Sequence, residues 1–184
     1  MRFVPTLSHQ INRTNISFMK TRIINISKFI ITPVTQKSWF ADLLFTIPRF
    51  VCGMLLTVSF GSDKFGLPWS STANLGFFEV AAWFPKDVAE YGGIFALFPF
   101  FFAWSGAFAE AVGGLLLAIG FKTRIASFLI MCTMLVAIFL QKWNQGMWSM
   151  LPAMGFLWVS IYHLYLGSGR FGIDYLISKK INKQ

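Results

Sequence analysis

Four apolar runs constrain this chain more than any other feature. Each reaches or approaches the roughly 20 residues that an α-helix needs to cross a bilayer. The first runs from Leu43 to Phe60, interrupted by Pro48 and Arg49. The second runs from about Phe95 to Ile119, the third from Ile125 to Leu140, and the fourth from Met147 to Leu166. In lipid every backbone N–H and C=O must find its partner within the protein, so runs of this kind become helices. Composition agrees. Of 184 residues 55% are hydrophobic and only 12% are charged, against about 25% charged in a soluble domain. The fold expected is an all-α membrane protein, a four-helix transmembrane bundle. The third run is short, and Lys122, Arg124 and Lys142 at its ends can snorkel to the interface.

The net charge of +9 would suggest nucleic acid in a soluble chain. Here it has a simpler source, and no nucleic-acid partner is expected, because basic residues gather on the cytoplasmic side of membrane proteins. With four spans both termini share one side. That side carries Arg2, Arg13, Lys20, Arg22, Lys28 and Lys37, then Lys122 and Arg124, then Arg170, Lys179, Lys180 and Lys183. The other side has only Lys64, Lys86 and Lys142. The expected orientation is therefore N-in and C-in. Trp143 and Trp148 mark the outer interface, Tyr162 and Tyr165 the inner one.

Residues 1–42 read as a basic cytoplasmic lead-in. Ile16, Met19, Ile23, Ile26 and Ile30 recur at helical spacing, which suits an amphipathic helix on an anionic membrane face. The membrane domain covers 43–177, and 178–184 is a basic tail. The long outer loop from Gly61 to Gly93 contains an aromatic stretch from Leu75 to Phe84. It is too short to span and too apolar for water, so a short interfacial helix is expected there.

One acid, Glu110, lies inside the second run. A carboxylate at bilayer depth is a functional-site hypothesis with a partner to be found. Counting rise from the inner ends, Arg49 lies roughly 9 Å deep and Glu110 roughly 13 Å deep, so an Arg49–Glu110 pair is expected across the first two helices. Gly106, Glu110 and Gly114 share one stripe, with Gly113 beside it, and small residues let a neighbouring helix approach closely. The pair reads two ways. It is a register pin between helices, or it orients a polar ligand head group such as a quinone carbonyl or relays a proton. Asp63 and Lys64, at the outer exit of the first run, read either as a solvated turn or as a polar lid.

Several chemistries are set aside. His163 and His9 cannot form a bis-His haem site across two helices. No Cys/His cluster has metal-ligand spacing, so no metal and no intrinsic cofactor is expected. Cys52 and Cys132 sit in apolar runs at similar depth and form no CxxC.

The sequence resembles the DoxX family of small four-helix membrane proteins. The residues that carry the resemblance are Arg49, the exit Gly61 with Lys64, the run from Glu110 through Gly113-Gly114 to Lys122-Thr123-Arg124, and the terminal Gly167-Ser168-Gly169-Arg170 with Asp174. Many members have His-Gly at the exit of the first helix, where this chain has Phe60-Gly61. Arg170 and Asp174 stand at i, i+4 and are expected to pair. The resemblance implies a bacterial inner-membrane protein, a membrane subunit or accessory of a quinone-linked oxidoreductase or redox-stress system. Quinone would be the ligand and a protein of a redox complex the partner, and a homo-oligomer is compatible. The alternative it implies is a non-catalytic scaffold or assembly factor, with Arg49–Glu110 as a structural pair. A self-sufficient permease is disfavoured, because four spans without inverted repeats lack the usual transporter plan.

Overall fold

A computed structural model describes residues 22, 28, 30–72 and 75–181. Most of the lead-in's isoleucine stripe and the last residues of the tail lie outside this range. Among the described residues, four helices are long and apolar enough to cross a membrane. They are α1 (Trp39–Phe60), α4 (Pro99–Ile119), α5 (Thr123–Gln145) and α6 (Met147–Leu166). Two short helices, α2 (Phe84–Ala89) and α3 (Gly93–Leu97), precede α4, and α7 (Ile173–Ile181) follows α6. The outward faces carry bare aromatics such as Phe50, Phe101, Phe128, Phe139 and Trp158, a surface only lipid or another apolar partner can cover. The all-α, four-span architecture is thus as the sequence implies. The first span begins earlier than the apolar run, at Trp39, because Ser38 Oγ accepts from Phe40 N and caps it.

Spans α1 and α4 meet backbone to backbone. A Cβ built on Gly53 would lie 2.6 Å from Gly114 O, and one on Gly114 would lie 2.9 Å from Gly53 O. Two turns further along α1, a Cβ on Gly61 would lie 2.5 Å from Ala111 Cα. Only glycine fits at such a crossing. Three spans each contain a widened π-helical turn: Leu56–Phe60 in α1, Ala109–Gly113 in α4 and Ala137–Lys142 in α5. Such turns displace the helix ladder and recur at functional sites. The first two lock together, with the Thr57 hydroxyl donating to Ala111 O.

The loop after α1 folds differently from the expectation. Residues 75–83 are not helical. Phe65 and Val80 form an antiparallel bridge, Gly66 N donates to Glu79 O and Phe78 N to Gly66 O. Phe78 sits at φ 61°, a left-handed conformation that no helix contains. The short helix comes later, at α2. The loop is anchored on the bundle by Phe65, which is fully buried and packs against Phe78, Trp104 and Phe108, while Phe77, Phe78 and Trp83 stay exposed.

At the opposite end of the bundle, residues 32–36 are pinned beneath the spans. Val34 N donates to Leu166 O, and Pro33 is buried. The terminal helix α7 leaves Leu176 and Ile181 exposed beside Lys179 and Lys180, an amphipathic arrangement suited to a membrane surface.

Candidate functional site

Glu110 sits in the widened turn of α4 and is 5% exposed. Its partner is Lys64, whose Nζ lies 2.5 Å from Glu110 Oε2. Lys64 leaves α1 in the direction of water, but the chain turns tightly after Gly61, with Phe65 N donating to Gly61 O. Gly61 rests on Ala111, the residue after Glu110, so the lysine is carried back onto the acid. Lys64 Nζ also lies 5.1 Å from the centre of the Phe84 ring, close enough for a cation–π contact.

The ion pair separates two cavities. One, of about 230 Å³, lies between α4 and α5, walled by Phe84, Tyr91, Phe95, Phe102, Gly106 and Cys132. The other, of about 430 Å³, lies between α1, α5 and α6, and its rim includes Gln141, Lys142, Gln145 and Ser149. Lys64, Glu110, Ala137 and Gln141 line both. All three widened turns therefore converge here. In the first cavity, Ser105 and Thr133 spend their hydroxyls on Phe101 O and Leu129 O of their own helices. The polar groups left to a ligand are then Lys64, Glu110, Tyr91 and Gln141. Tyr91 has its phenol pushed up to about 12 by burial first, and then by the negative charges of Asp87, Glu110 and Glu90.

Arg49 does not belong to this site, and the expected Arg49–Glu110 pair is not formed. Arg49 is 1% exposed and donates to Leu117 O at 2.5 Å, Ala118 O at 3.0 Å and Phe171 O at 3.1 Å. It closes the C-terminus of α4, where carbonyls lack intrahelical partners and a cation is favoured. It lies over Gly120, where a Cβ would be 2.6 Å from Arg49 Nη1. Gly120 ends the helix at φ 71°, as a glycine C-cap does.

The other motif charges serve the same end of the bundle. The expected Arg170–Asp174 pair is also not formed. Asp174 instead accepts from Lys122 N at 2.8 Å, Thr123 N at 2.9 Å and Thr123 Oγ1 at 2.9 Å, capping α5 from outside. Arg170 pairs with Asp42 at 2.7 Å and donates to Gln36 O. Arg124 donates to Leu164 O, Tyr165 O and Thr32 O, closing the C-terminus of α6. Arg49, Lys122, Arg124, Arg170 and Asp174 form one capping knot. Of the glycines, Gly114 makes the close helix crossing. Gly113 makes ordinary contact with Ile130 and Ala126, and Gly106 faces the first cavity. His163 is buried, with its Nδ1 2.9 Å from Val159 O. Cys52 and Cys132 are both free. Among the described residues, no three His, Cys, Asp or Glu side chains converge to hold a metal.

These features define a multi-pass membrane protein with a part-buried ion pair between two cavities and a separate knot of caps at one end. Residues 44–143 match the DoxX family model. The chain belongs to the DoxX family. The matched region ends with α5, so it holds Arg49, Lys64, Glu110 and Arg124, while Arg170 and Asp174 lie beyond it. Comparisons with curated proteins and with solved structures give no match.

Proposed function

We propose that the protein binds a lipid-soluble quinone at the Lys64–Glu110 pair, as a membrane subunit or accessory of a quinone-linked redox system. The observation that carries this reading is a part-buried ion pair, with Glu110 the buried partner, set in the wall of an aromatic-lined cavity. Buried charges in a membrane are expensive and mark ligand or ion paths. The donor set fits a quinone head: the Lys64 ammonium can donate to a carbonyl oxygen, and the Glu110 carboxylate can accept from a hydroxyl. Phe84, Phe95 and Phe102 offer ring faces and edges to a flat apolar body. A bound quinone supplies a two-electron carrier that moves within the bilayer. Its electrons come from a partner protein or a soluble substrate. In this reading both termini lie on the cytoplasmic side of the cell membrane, which the distribution of basic residues supports.

Organic extraction of protein purified in mild detergent tests it. Quinone recovered from wild type and lost from Lys64→Met supports the reading. A wild-type extract free of quinone, together with no binding of added quinone, sinks it.

A second reading, a scaffold or assembly factor, is favoured by the capping knot, where Arg49, Arg124, Arg170 and Asp174 are all spent on joining elements. It calls for a stably co-purifying protein and for loss of folding in Glu110→Ala.

A further inference from the structure

The two cavities that meet at Lys64 and Glu110 open on different surroundings. On α5, Phe128, Cys132, Leu135 and Phe139 are all exposed, and their spacing places them on one outward stripe. Cys132 is the member of that stripe that also lines the first cavity. Its mouth therefore lies on the lipid-covered side, between α4 and α5. The two helices are in contact at Gly113 and Ile130, and the cavity opens between them beside Gly106. Gly106 has no packing reason to be glycine. A Cβ there would meet nothing nearer than 3.8 Å, from Phe84 and Thr133, whereas Gly53, Gly61 and Gly114 are forced by backbone contact. What the missing side chain provides at Gly106 is space in the slot.

The second cavity is rimmed by Lys142, Gln145 and Ser149 at the turn between α5 and α6. Exposed Trp143 and Trp148 flank that turn, as aromatic residues do at a membrane–water interface. This mouth faces water.

We infer that the site has two separate entrances: an amphiphilic ligand enters from the bilayer between α4 and α5, past Gly106, and water reaches the same ion pair through the cavity rimmed by Gln145 and Ser149. The inference rests on the quinone reading for its ligand. The head group then meets Lys64 and Glu110 from one side while solvent meets them from the other, and the apolar tail never leaves the membrane.

The test uses full-length protein in phosphatidylcholine vesicles, with a short-tailed benzoquinone dissolved in the bilayer. Binding is followed by quenching of tryptophan fluorescence. Gly106→Leu fills the lipid-side slot, and Cys132→Phe, at an exposed position that folding does not need, obstructs its mouth. Ser149→Phe obstructs the water-side cavity. In a Cys52→Ser background, alkylation of Cys132 by N-ethylmaleimide reports on the slot directly. The expected result is a loss of at least about tenfold in affinity, one factor of ten per 1.4 kcal/mol, for Gly106→Leu and for Cys132→Phe. Ser149→Phe should bind within about twofold of wild type, and quinone should slow Cys132 alkylation. Binding lost in Ser149→Phe but kept in both slot variants overturns the two-entrance inference and leaves the quinone reading standing. Failure of wild type to bind, with no protection of Cys132, overturns both.

Discussion

Lys64 Nζ stands 2.5 Å from Glu110 Oε2, joining residues 46 apart in sequence. The contact exists because a loop returns to the bundle it has just left. Gly61 against Ala111 sets the approach, and the Phe65–Val80 bridge holds the loop in place. If the pair is the polar element of the site, the two residues depend on each other. Removing either partner leaves a charge uncompensated, Glu110 buried and Lys64 partly so, at a cost approaching the roughly 3–5 kcal/mol of a broken buried pair. Replacing both by apolar side chains removes the desolvation penalty as well. Lys64→Met and Glu110→Leu should each lower Tm in detergent, and the double variant should recover much of the loss. Strict additivity in the thermal melts would show that the two side chains do not interact.

The capping knot gives a second expectation. Asp174 supplies acceptors to two N–H groups and one hydroxyl at the start of α5. Caps of this type contribute about 0.5–2 kcal/mol, and Asp174→Ala should cost at least the upper part of that range. Quinone binding by the folded fraction should be unchanged. Circular dichroism melts and binding titrations on the same preparation separate the two effects. A variant that melts like wild type contradicts the assignment.

Glycines offer a sharper contrast. Gly53→Ala puts a methyl group 2.6 Å from Gly114 O, an overpacking that typically costs about 1–3 kcal/mol. Gly106→Ala meets only ordinary contacts and should melt within about 0.5 kcal/mol of wild type. Equal melting temperatures for the two variants would contradict the helix crossing.

Tyr91 supplies the pH expectation. Its phenol is raised from 10.0 to about 12 by burial and by Asp87, Glu110 and Glu90. The unfolded chain begins to release this proton near the ordinary value, while the folded chain holds it. The stabilisation is therefore complete below pH 10 and is lost as pH rises through about 12. Tyrosinate absorbance should show a late-titrating component absent from Tyr91→Phe, and Glu110→Gln should move it to lower pH by removing one of the negative charges. A Tyr91 component that titrates at the ordinary value would refute the buried setting.

The helices and their number were legible because a bilayer demands long apolar runs, and Glu110 stood out because charge inside such a run is costly. Its partner was not legible. Depth counted along straight helices brings Arg49 near Glu110, but such counting cannot see a loop folding back, so Lys64 read as a polar lid and candidate ligand contact at the rim, not as the partner of Glu110. The widened turns that converge on the pair leave no residue pattern of their own. Arg170 and Asp174 satisfy the i, i+4 spacing, yet α7 begins only at Ile173. The spacing rule applies within one helix, and Arg170 lies outside it. The stretch from Leu75 to Phe84 is apolar enough for an interfacial helix, but its backbone pairs with the segment around Phe65 instead, leaving Phe77, Phe78 and Trp83 exposed. Gln141 and Tyr91 line the site without any sequence signal beyond being polar beside an apolar run.

The central claim is that Lys64 and Glu110 form the ligand site while Arg49 holds the helices together. The most direct test is the affinity of vesicle-reconstituted protein for a short-tailed benzoquinone, measured for wild type, Lys64→Met and Arg49→Lys. Loss of a charge-assisted hydrogen bond of about 1.5–3 kcal/mol should weaken binding by about tenfold or more in Lys64→Met. Arg49→Lys cannot reproduce the forked donation to carbonyls and should melt earlier, with its folded fraction binding within about twofold of wild type. Binding unchanged in Lys64→Met, or abolished in folded Arg49→Lys, would contradict the assignment.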